Sequence, residues 1–247
     1  MDVNCGLGKM VMAEMCIVRR LGRMDYAEAW ELQKHAADGV ASGACPPTLL
    51  LVEHPHTYTL GRMSKPEHLL WGAEELARRG IAVANVDRGG DITYHGPGQL
   101  VGYPILRLAP LGWQGQRLPY MDFVGYLRKL ETMLVLALAQ FGVTGVQLAG
   151  HTGVWVADEA PLPGDPYGAG KIASIGVKVD ARGVSRHGFA LNVAADPAYW
   201  QGIVACGLDG VRMLNLAELV TPPPGMDQVA EAVIQAFSEV FGYETNP

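Results

Sequence analysis

The stretch from residue 88 to residue 104 concentrates residue types that can bind a ligand. Its first eleven residues hold four glycines, a fixed cation, two hydroxyls and a histidine: Gly89, Gly90, Gly96, Gly98, Arg88, Thr93, Tyr94 and His95. Glycines let a ligand approach the backbone because no Cβ blocks the way, and histidine ordinarily titrates near neutral pH. A plain glycine turn entering the apolar strand at 100–106 also fits, but the clustered polar groups favour a binding loop. A phosphate loop is excluded, because no Gly-Lys-Ser/Thr follows.

The other candidate for chemistry is Cys206, which lies between an apolar approach and a glycine turn. The residues alone leave two interpretations open, a buried structural cysteine and a nucleophile whose flanking backbone N–H groups bind an oxyanion. A thiol with a pKa of about 8.5 is only slightly ionised at neutral pH, so a nucleophile here needs a nearby cation. Lys171 can supply that charge and accept a proton if it borders a pocket. Otherwise it is the solvated end of the apolar strand at 172–177.

Hydrophobic periodicity predicts the elements that must position these residues. Helices are expected at 24–37, 73–79, 120–141 and 226–241, and strands at 16–21, 48–53, 81–86, 146–148 and 153–157. Segments 171–179 and 188–193 predict a hairpin, and the Pro- and Gly-rich 158–170 predicts a loop. Because strands and helices mix without strict alternation, we predict the α+β class, a mixed β-sheet flanked by helices. Residues 1–14 are expected to form a loose leader and residues 15–247 a single domain.

Composition excludes several classes of protein. Of the 247 residues 49% are hydrophobic and 18% are charged, which is typical of a protein with a sizeable core. The net charge of −6 argues against nucleic-acid binding, which needs a basic face. The cysteines show no Cys-x-x-Cys spacing and His54-Pro55-His56 has no third ligand nearby, so we expect neither disulfides nor a metal site. We predict a cytoplasmic monomer without a signal peptide, in which 132–150 is a buried helix running into a strand, not a membrane span.

Four segments together resemble the lipoyl (octanoyl) transferases, the acyl-carrier-protein-dependent octanoyltransferases of lipoate biosynthesis. They are the 88–104 stretch, Lys171-Ile172-Ala173-Ser174-Ile175-Gly176-Val177, His187-Gly188-Phe189-Ala190-Leu191-Asn192-Val193 and Ala205-Cys206-Gly207-Leu208. The resemblance covers about residues 19–241 and implies the fold of biotin and lipoate protein ligases. Ala205 departs from the family pattern, which usually has proline before the cysteine, and Met213-Leu214-Asn215 replaces a Thr-Ser pair.

The resemblance also implies roles for individual residues. Cys206 and Lys171 match the catalytic pair, and Arg88 and His95 are expected to engage substrate and not to activate the thiol. The segments that match the acyl-substrate site contain Arg88, Gly89, Gly90, Asp91, Ile92, Thr93, Tyr94, His95, Ser174, Ile175, Gly176, Gly188, Phe189 and Ala190.

The reaction that the resemblance implies is a two-step acyl transfer. Cys206 accepts the octanoyl group of octanoyl-acyl carrier protein and passes it to a lysine on a lipoyl domain of a 2-oxoacid dehydrogenase or of the glycine cleavage H protein. Because thioester exchange is nearly balanced and aminolysis is downhill, neither ATP nor a metal is expected as a cofactor.

Three other functions and one docking surface complete the expectations. An ATP-dependent lipoate or biotin ligase of the same fold would not need Cys206. A non-catalytic binder of carrier domains, a pseudoenzyme, would need neither Cys206 nor Lys171. A thioester hydrolase would pass the acyl group to water.

Acidic carrier domains are expected to dock on Lys178, Arg182 and Arg186, with Arg78 and Arg79 as a second cluster, although such charges are commonly only solvated.

Overall fold

The computed structural model describes residues 14–110, 120–157 and 166–246. In chain order the strands are β1 (Glu14–Arg23), β2 (Thr48–Glu53), β3 (Thr57–Leu60), β4 (Ala82–Asn85), β5 (Ile92–His95), β6 (Gln99–Ile105), β7 (Val146–Leu148), β8 (His151–Ala157), β9 (Ala169–Val179), β10 (Ser185–Asn192) and β11 (Tyr243–Thr245). The helices are α1 (Tyr26–Ser42), α2 (Ala73–Arg78), α3 (Tyr120–Ala139), α4 (Leu216–Leu219) and α5 (Met226–Phe241).

The strands form two sheets. The larger has the order β11-β1-β2-β6-β10-β9-β8-β7, in which β1 pairs parallel with β11 and β2 and the other neighbours are antiparallel. The smaller sheet has the order β4-β3-β5. A mixed sheet with flanking helices was predicted and is confirmed; the second sheet was not predicted.

The larger sheet is buried on both faces. Along β2, Leu49 and Leu51 join a core that includes α3 and α5, whereas Leu50 and Val52 join a core that includes α1. This two-sided burial explains why β2 is an uninterrupted apolar run instead of an alternating one. The smaller sheet packs against the segments around residues 69–71 and 199–205, where it forms a third core.

Several predicted elements are confirmed, with small shifts at their ends. The hairpin forms from β9 and β10, in which Gly176 faces Gly188, and 132–150 is the end of a helix running into β7. None of the described helices is both long and apolar enough to cross a membrane. The predicted leader at 1–14 falls almost entirely outside the described residues, as does most of the predicted loop at 158–170.

Two sequence predictions differ from the structure, and the second affects the site. The first helix was predicted to end at residue 37, but it continues to Ser42 and ends where Gly43 adopts a left-handed conformation with φ 78°. The 88–104 stretch is only partly a loop, because Ile92–His95 forms β5. That strand alternates: Ile92 and Tyr94 enter the third core, and Thr93 and His95 face a cavity on the other side.

Candidate active site

A cavity of about 230 Å³ opens where the 88–91 loop, the β9–β10 hairpin and the turn at Cys206 meet. The predicted site residues that line it are Arg88, Gly89, Gly90, Asp91, Thr93, His95, Lys171, Ser174, Ile175, Gly176, Gly188, Phe189, Ala190 and Cys206. Of the predicted set, Ile92 and Tyr94 do not line it. Segments that are distant in sequence therefore meet at one site.

The turn at Cys206 has unusual backbone geometry. Cys206 adopts φ 57° and ψ 18°, and Gly207 follows with φ 69°. The left-handed conformation costs a non-glycine residue about 1–2 kcal/mol, and strain of this kind concentrates at functional sites. The Gly207 N–H donates to the Val204 carbonyl (3.1 Å) and the Leu208 N–H donates to the Ala205 carbonyl (3.0 Å). Of the backbone N–H groups around Cys206 that were expected to be open to an oxyanion, those of Gly207 and Leu208 are therefore already engaged.

Lys171 and Ser174 lie on β9 and both line the cavity. Residues three apart on a regular strand point to opposite faces. Here Val154 pairs with Ala173 while the next residue, Trp155, pairs with Lys171, so Ile172 is an extra residue in the ladder. This bulge changes the phase of the strand and accounts for the lysine and the serine sharing one face.

The Cys206 thiol is half-buried, and opposing effects act on its pKa. Burial raises the pKa most strongly among the single effects, but the Lys171 charge, a hydrogen bond to Ser174, the Arg88 charge and a hydrogen bond to Thr93 together lower it below its ordinary value. Ser174 Oγ lies 3.6 Å from Cys206 Sγ. The site therefore favours the thiolate, the nucleophilic form of cysteine.

Lys171 is held in a buried setting. Its side chain is 3% exposed, and Nζ lies 5.2 Å from the centroid of the Trp155 ring. A Cβ on Gly153 would come within 2.8 Å of Lys171 Cε, so the glycine leaves room for the lysine stem. On the backbone, Lys171 N–H donates to the Arg212 carbonyl (2.8 Å) and its carbonyl accepts from Leu214 N–H (2.9 Å). These bonds tie the segment that follows the Cys206 turn to β9.

The Arg88 side chain holds the 88–91 loop in place. Its two terminal nitrogens donate to the carbonyls of Gly89, Asp91 and Thr59 and to the Thr59 hydroxyl, at 2.6–3.0 Å. Burial lowers the Arg88 pKa, yet a guanidinium stays charged in proteins. Its partners are neutral oxygens, so its positive charge is not cancelled by a direct ion pair.

His95 is not the titrating group that the sequence suggested. It is buried, and burial together with the nearby His54 and Arg88 lowers its pKa well below the ordinary value. Its Nδ1–H donates to Gln99 Oε1 (2.8 Å), because the Gln99 amide nitrogen donates to Asn192 and to the Tyr94 carbonyl. His95 Nε2 is then left to accept from the Thr59 hydroxyl (3.3 Å). His95 is a neutral link that fixes the cavity wall.

Sequence reasoning missed a second histidine at the site. His187 lines the cavity in a left-handed conformation, with φ 57°. Its Nε2–H donates to Asp87 (2.7 Å), which leaves Nδ1 to accept from Tyr26 OH (3.3 Å), and its backbone N–H donates to Gln33 (2.8 Å). Its position before Gly188 in a matching segment was the available signal, but its partners come from α1 and from the residue before Arg88.

A further pair, His68 and Asp91, supports the Cys206 turn. His68 Nδ1–H donates to Asp91 Oδ2 (2.6 Å), and a Cβ on Gly207 would come within 2.7 Å of that same oxygen. The His68 carbonyl accepts from Val204 N–H (2.9 Å). The segment around residue 68 thus joins the glycine loop to the turn that carries the thiol.

The charges predicted to dock a partner are largely paired within the protein. Lys178 and Arg186 both contact Asp87, at 2.6 and 2.7 Å, and Arg182 contacts Asp38 and Asp180. Arg78 and Arg79 both bind Glu75. In the part of the chain that the structure describes, no group of three or more His, Cys, Asp or Glu side chains could hold a metal ion.

Comparison with solved structures defines the fold class. A bi-partite lipoate protein ligase from Thermoplasma acidophilum superposes with a TM-score of 0.66 at 18% identity, covering 96% of this chain and 88% of that one. A lipoate-protein ligase A bound with ATP gives a TM-score of 0.64 at 17% identity, with 96% and 90% covered. The protein therefore has the lipoate protein ligase fold, as the resemblance implied.

Comparison of sequences defines the family. The model of the lipoyl protein ligase A/B catalytic domain matches residues 25–238. The octanoyltransferase of Chloroflexus aggregans is 42% identical over 224 residues, which cover 91% of this chain and 94% of that protein. The octanoyltransferase of Acidobacterium capsulatum is 43% identical over 226 residues, which cover 91% and 89%. The chain belongs to the lipoyl protein ligase A/B catalytic domain family, and it is an acyltransferase.

Proposed function

We propose that the protein transfers an octanoyl group from octanoyl-acyl carrier protein to a lysine of lipoyl domains, through a thioester on Cys206. The acceptors are lipoyl domains of 2-oxoacid dehydrogenases and the H protein of glycine cleavage, and the reaction takes place in the cytoplasm. The curated relatives named octanoyltransferases support the substrate class. The observation that carries the proposal is the Cys206 thiol, whose pKa is lowered beside Lys171 at a cavity with an apolar wall.

The first step forms the acyl-enzyme. The Cys206 thiolate attacks the thioester carbonyl carbon, a new C–S bond forms, and the bond to the carrier sulfur breaks with its electron pair on that sulfur. Lys171, as the ammonium, stabilises the thiolate beforehand and gives a proton to the departing carrier thiolate. Its buried position supports this role, because a charge acts more strongly in a low-dielectric site than in water.

The second step restores the thiol. The lysine amine of the lipoyl domain attacks the Cys206 thioester, an amide forms, and the C–S bond breaks with its electron pair on Cys206. Lys171, now a neutral amine, takes the proton that the attacking amine releases. The two steps leave Lys171 and Cys206 in their starting states. Neither step needs ATP or a metal, since the thioester already carries an activated acyl group.

The wall of the cavity suits an acyl chain. Its apolar side chains are Val101, Ile175, Phe189, Ala190 and Leu208, and the facing pair Gly176 and Gly188 presents no Cβ. Each methylene removed from water there contributes about 0.8 kcal/mol. Gly102 leaves room for the Phe189 ring at this wall, because a Cβ on Gly102 would lie only 2.1 Å from the ring.

The test is octanoylation of an apo lipoyl domain, followed by the change in its mass. The wild type should form product from octanoyl-acyl carrier protein without ATP. Cys206→Ser should lose several orders of magnitude in rate. Cys45→Ser, at an exposed cysteine, is the matched control and should match wild type. Product that appears only with free octanoate and ATP would instead identify a ligase, and release of free octanoate would identify a hydrolase.

A further inference from the structure

Acyl transfer to Cys206 creates a charge that no group described so far stabilises. When Sγ bonds to the carbonyl carbon, the π electrons of the carbonyl move to its oxygen, which becomes an oxyanion. Collapse of this intermediate reforms the carbonyl and expels the carrier sulfur. Hydrogen-bond donors already aimed at the oxyanion are commonly the largest single contribution to such catalysis.

The backbone cannot supply these donors from the residues that follow the nucleophile. The N–H groups of Gly207 and Leu208 are engaged with the carbonyls of Val204 and Ala205. Those bonds define the tight turn that gives Cys206 its left-handed conformation. Freeing either N–H would unwind the turn, so donors other than these two are needed around Sγ.

Two buried side-chain donors at the cavity are not satisfied by a nitrogen or oxygen partner. Among the described residues, neither Thr93 Oγ1 nor Arg88 Nε bonds to a nitrogen or oxygen atom, although Thr93 interacts with the Cys206 thiol, and both residues are more than nine-tenths buried. A buried donor without a partner costs about 1–3 kcal/mol, so its retention calls for an explanation. The indole nitrogens of Trp30 and Trp155 also lack a hydrogen-bond partner among the described residues, but these side chains do not line the cavity.

The fold places both groups on the cavity wall that also contains the thiol. Thr93 lies on the cavity side of β5, which packs against the Cys206 turn, and its hydroxyl interacts with the thiol and lowers the thiol pKa. Arg88 is fixed by four hydrogen bonds through its terminal nitrogens, which leaves Nε facing the cavity near Gly176, 3.7 Å from where a Cβ would stand.

We propose that the Thr93 hydroxyl and the Arg88 Nε–H form the oxyanion hole for acyl transfer at Cys206. The inference rests on the proposed acyl transfer. Thr93 donates to the thiolate in the resting enzyme; once Sγ is bonded to carbon and loses its charge, the same O–H turns to the oxygen. Arg88 contributes a fixed charge that a neutral donor lacks. Its terminal nitrogens hold the 88–91 loop, and its Nε–H donates to the oxyanion.

The test separates oxyanion stabilisation from thiolate formation. Iodoacetamide alkylates the thiolate without forming an oxyanion, whereas the octanoyl thioester of N-acetylcysteamine acylates it through one. Both rates are measured on their plateaus, at a pH above the thiol pKa of each variant. Thr93→Val should lower the acylation plateau by about 10²-fold and leave the alkylation plateau within about twofold of wild type. Thr93→Ser, which keeps the hydroxyl, should restore acylation.

Equal losses in both reactions, or an unchanged acylation plateau in Thr93→Val, would overturn the proposal. Should Thr93→Val fail to fold, Thr93→Ala with the same serine control gives the same comparison. The small thioester also separates this inference from the proposed function. An enzyme that reacts with it but not with octanoyl-acyl carrier protein would contradict the proposed donor and leave the oxyanion hole standing.

Discussion

Burial and charge act on the Cys206 thiol in opposite directions, and the balance depends on a few neighbours. Lys171 contributes the largest of the effects that lower its pKa. The sequence predicted this pair, but only through the resemblance, because nothing in local spacing shows that two distant residues meet. The bulge at Ile172, which brings Lys171 and Ser174 to one face, has no signal in the residue pattern.

The first residue-scale prediction concerns Lys171. Lys171→Met removes the charge that favours the thiolate, so the midpoint of the pH profile for iodoacetamide alkylation should rise by about one unit or more. Alkylation at pH 7 should slow accordingly. Lys178→Met is the matched control: that lysine pairs with Asp87, and its removal should leave the midpoint in place. A midpoint that does not move in Lys171→Met would remove this lysine from thiol activation.

The second residue-scale prediction concerns the buried histidines. Burial lowers the pKa of His54 to about 4 and lowers that of His95 and His187 as well. In the unfolded chain these histidines become protonated as the pH falls below about 6.5, whereas in the folded chain they stay neutral to lower pH. The free energy of unfolding is therefore highest above pH 6.5 and decreases as the pH falls toward 4. Between pH 7 and pH 5, His54 alone should account for a loss of about 2 kcal/mol.

Urea unfolding at the two pH values measures that loss. His54→Gln can still donate to the Met24 carbonyl and accept from Tyr103, so it should fold and show a pH-dependent loss that is smaller by about 2 kcal/mol. His35→Gln, at an exposed histidine of α1, should behave as wild type. A pH dependence that is identical in His54→Gln and wild type would mean that His54 does not carry this effect.

At the scale of elements, long periodic segments were predictable and short ones were not. Helix α5 forms at the predicted residues, because its apolar stripe packs against the sheet. Strand β5 was missed because its four residues lie in a glycine-rich stretch, and the third core that holds Ile92 and Tyr94 is assembled from distant segments. The consequence reaches the site, since the strand's alternation decides which residues of the stretch face the cavity.

The element-scale prediction tests the geometry of the Cys206 turn. Gly207 and Gly210 have nearly equal φ, 69° and 70°, so alanine at either position incurs similar backbone strain of about 1–2 kcal/mol. They differ in surroundings: a Cβ at Gly207 would lie 2.7 Å from Asp91 Oδ2, whereas at Gly210 the nearest atom, on Pro166, is 3.6 Å away. Gly207→Ala should therefore displace the turn, and Gly210→Ala should not.

Acyl transfer and thermal unfolding together check this prediction. Both variants should show a similar, modest decrease in Tm, but only Gly207→Ala should lose acyl transfer, by about tenfold or more, because small misplacements of reacting groups are costly. Equal activity in the two variants would show that the contact between Asp91 and the turn does not position the thiol.

At the scale of the whole molecule, composition gave the overall acidity but not where positive charge is available. The hairpin charges were predicted to dock an acidic carrier domain, yet the fold pairs them with Asp87, Asp38 and Asp180. Such pairing depends on contacts far apart in sequence and cannot be read from charge runs. Arg62 and Lys65 are exposed, no ion pair holds them among the described residues, and they flank Met63, which is 71% exposed.

We therefore predict that the carrier domain docks on the 62–65 segment. Arg62 and Met63 bond through their N–H groups to the carbonyls of Arg88 and Gly90, so the segment borders the cavity. Arg62→Glu with Lys65→Glu should raise KM for the carrier protein roughly fivefold and weaken its salt dependence, with alkylation of the thiol unchanged. Arg182→Glu, at a paired charge, should leave KM close to wild type. A larger increase in KM for Arg182→Glu than for the double variant would indicate that the carrier domain docks on the hairpin instead.

The covalent intermediate is the central claim, and intact-mass analysis tests it most directly. The enzyme is mixed with octanoyl-acyl carrier protein in the absence of ATP, its intact mass is measured, and it is then chased with apo lipoyl domain. We predict that the enzyme gains the mass of one octanoyl group, that peptide mapping places it on Cys206, and that the group moves to a lysine of the lipoyl domain during the chase. An adduct on another residue, or product without any enzyme adduct in rapid-quench samples, would contradict the account.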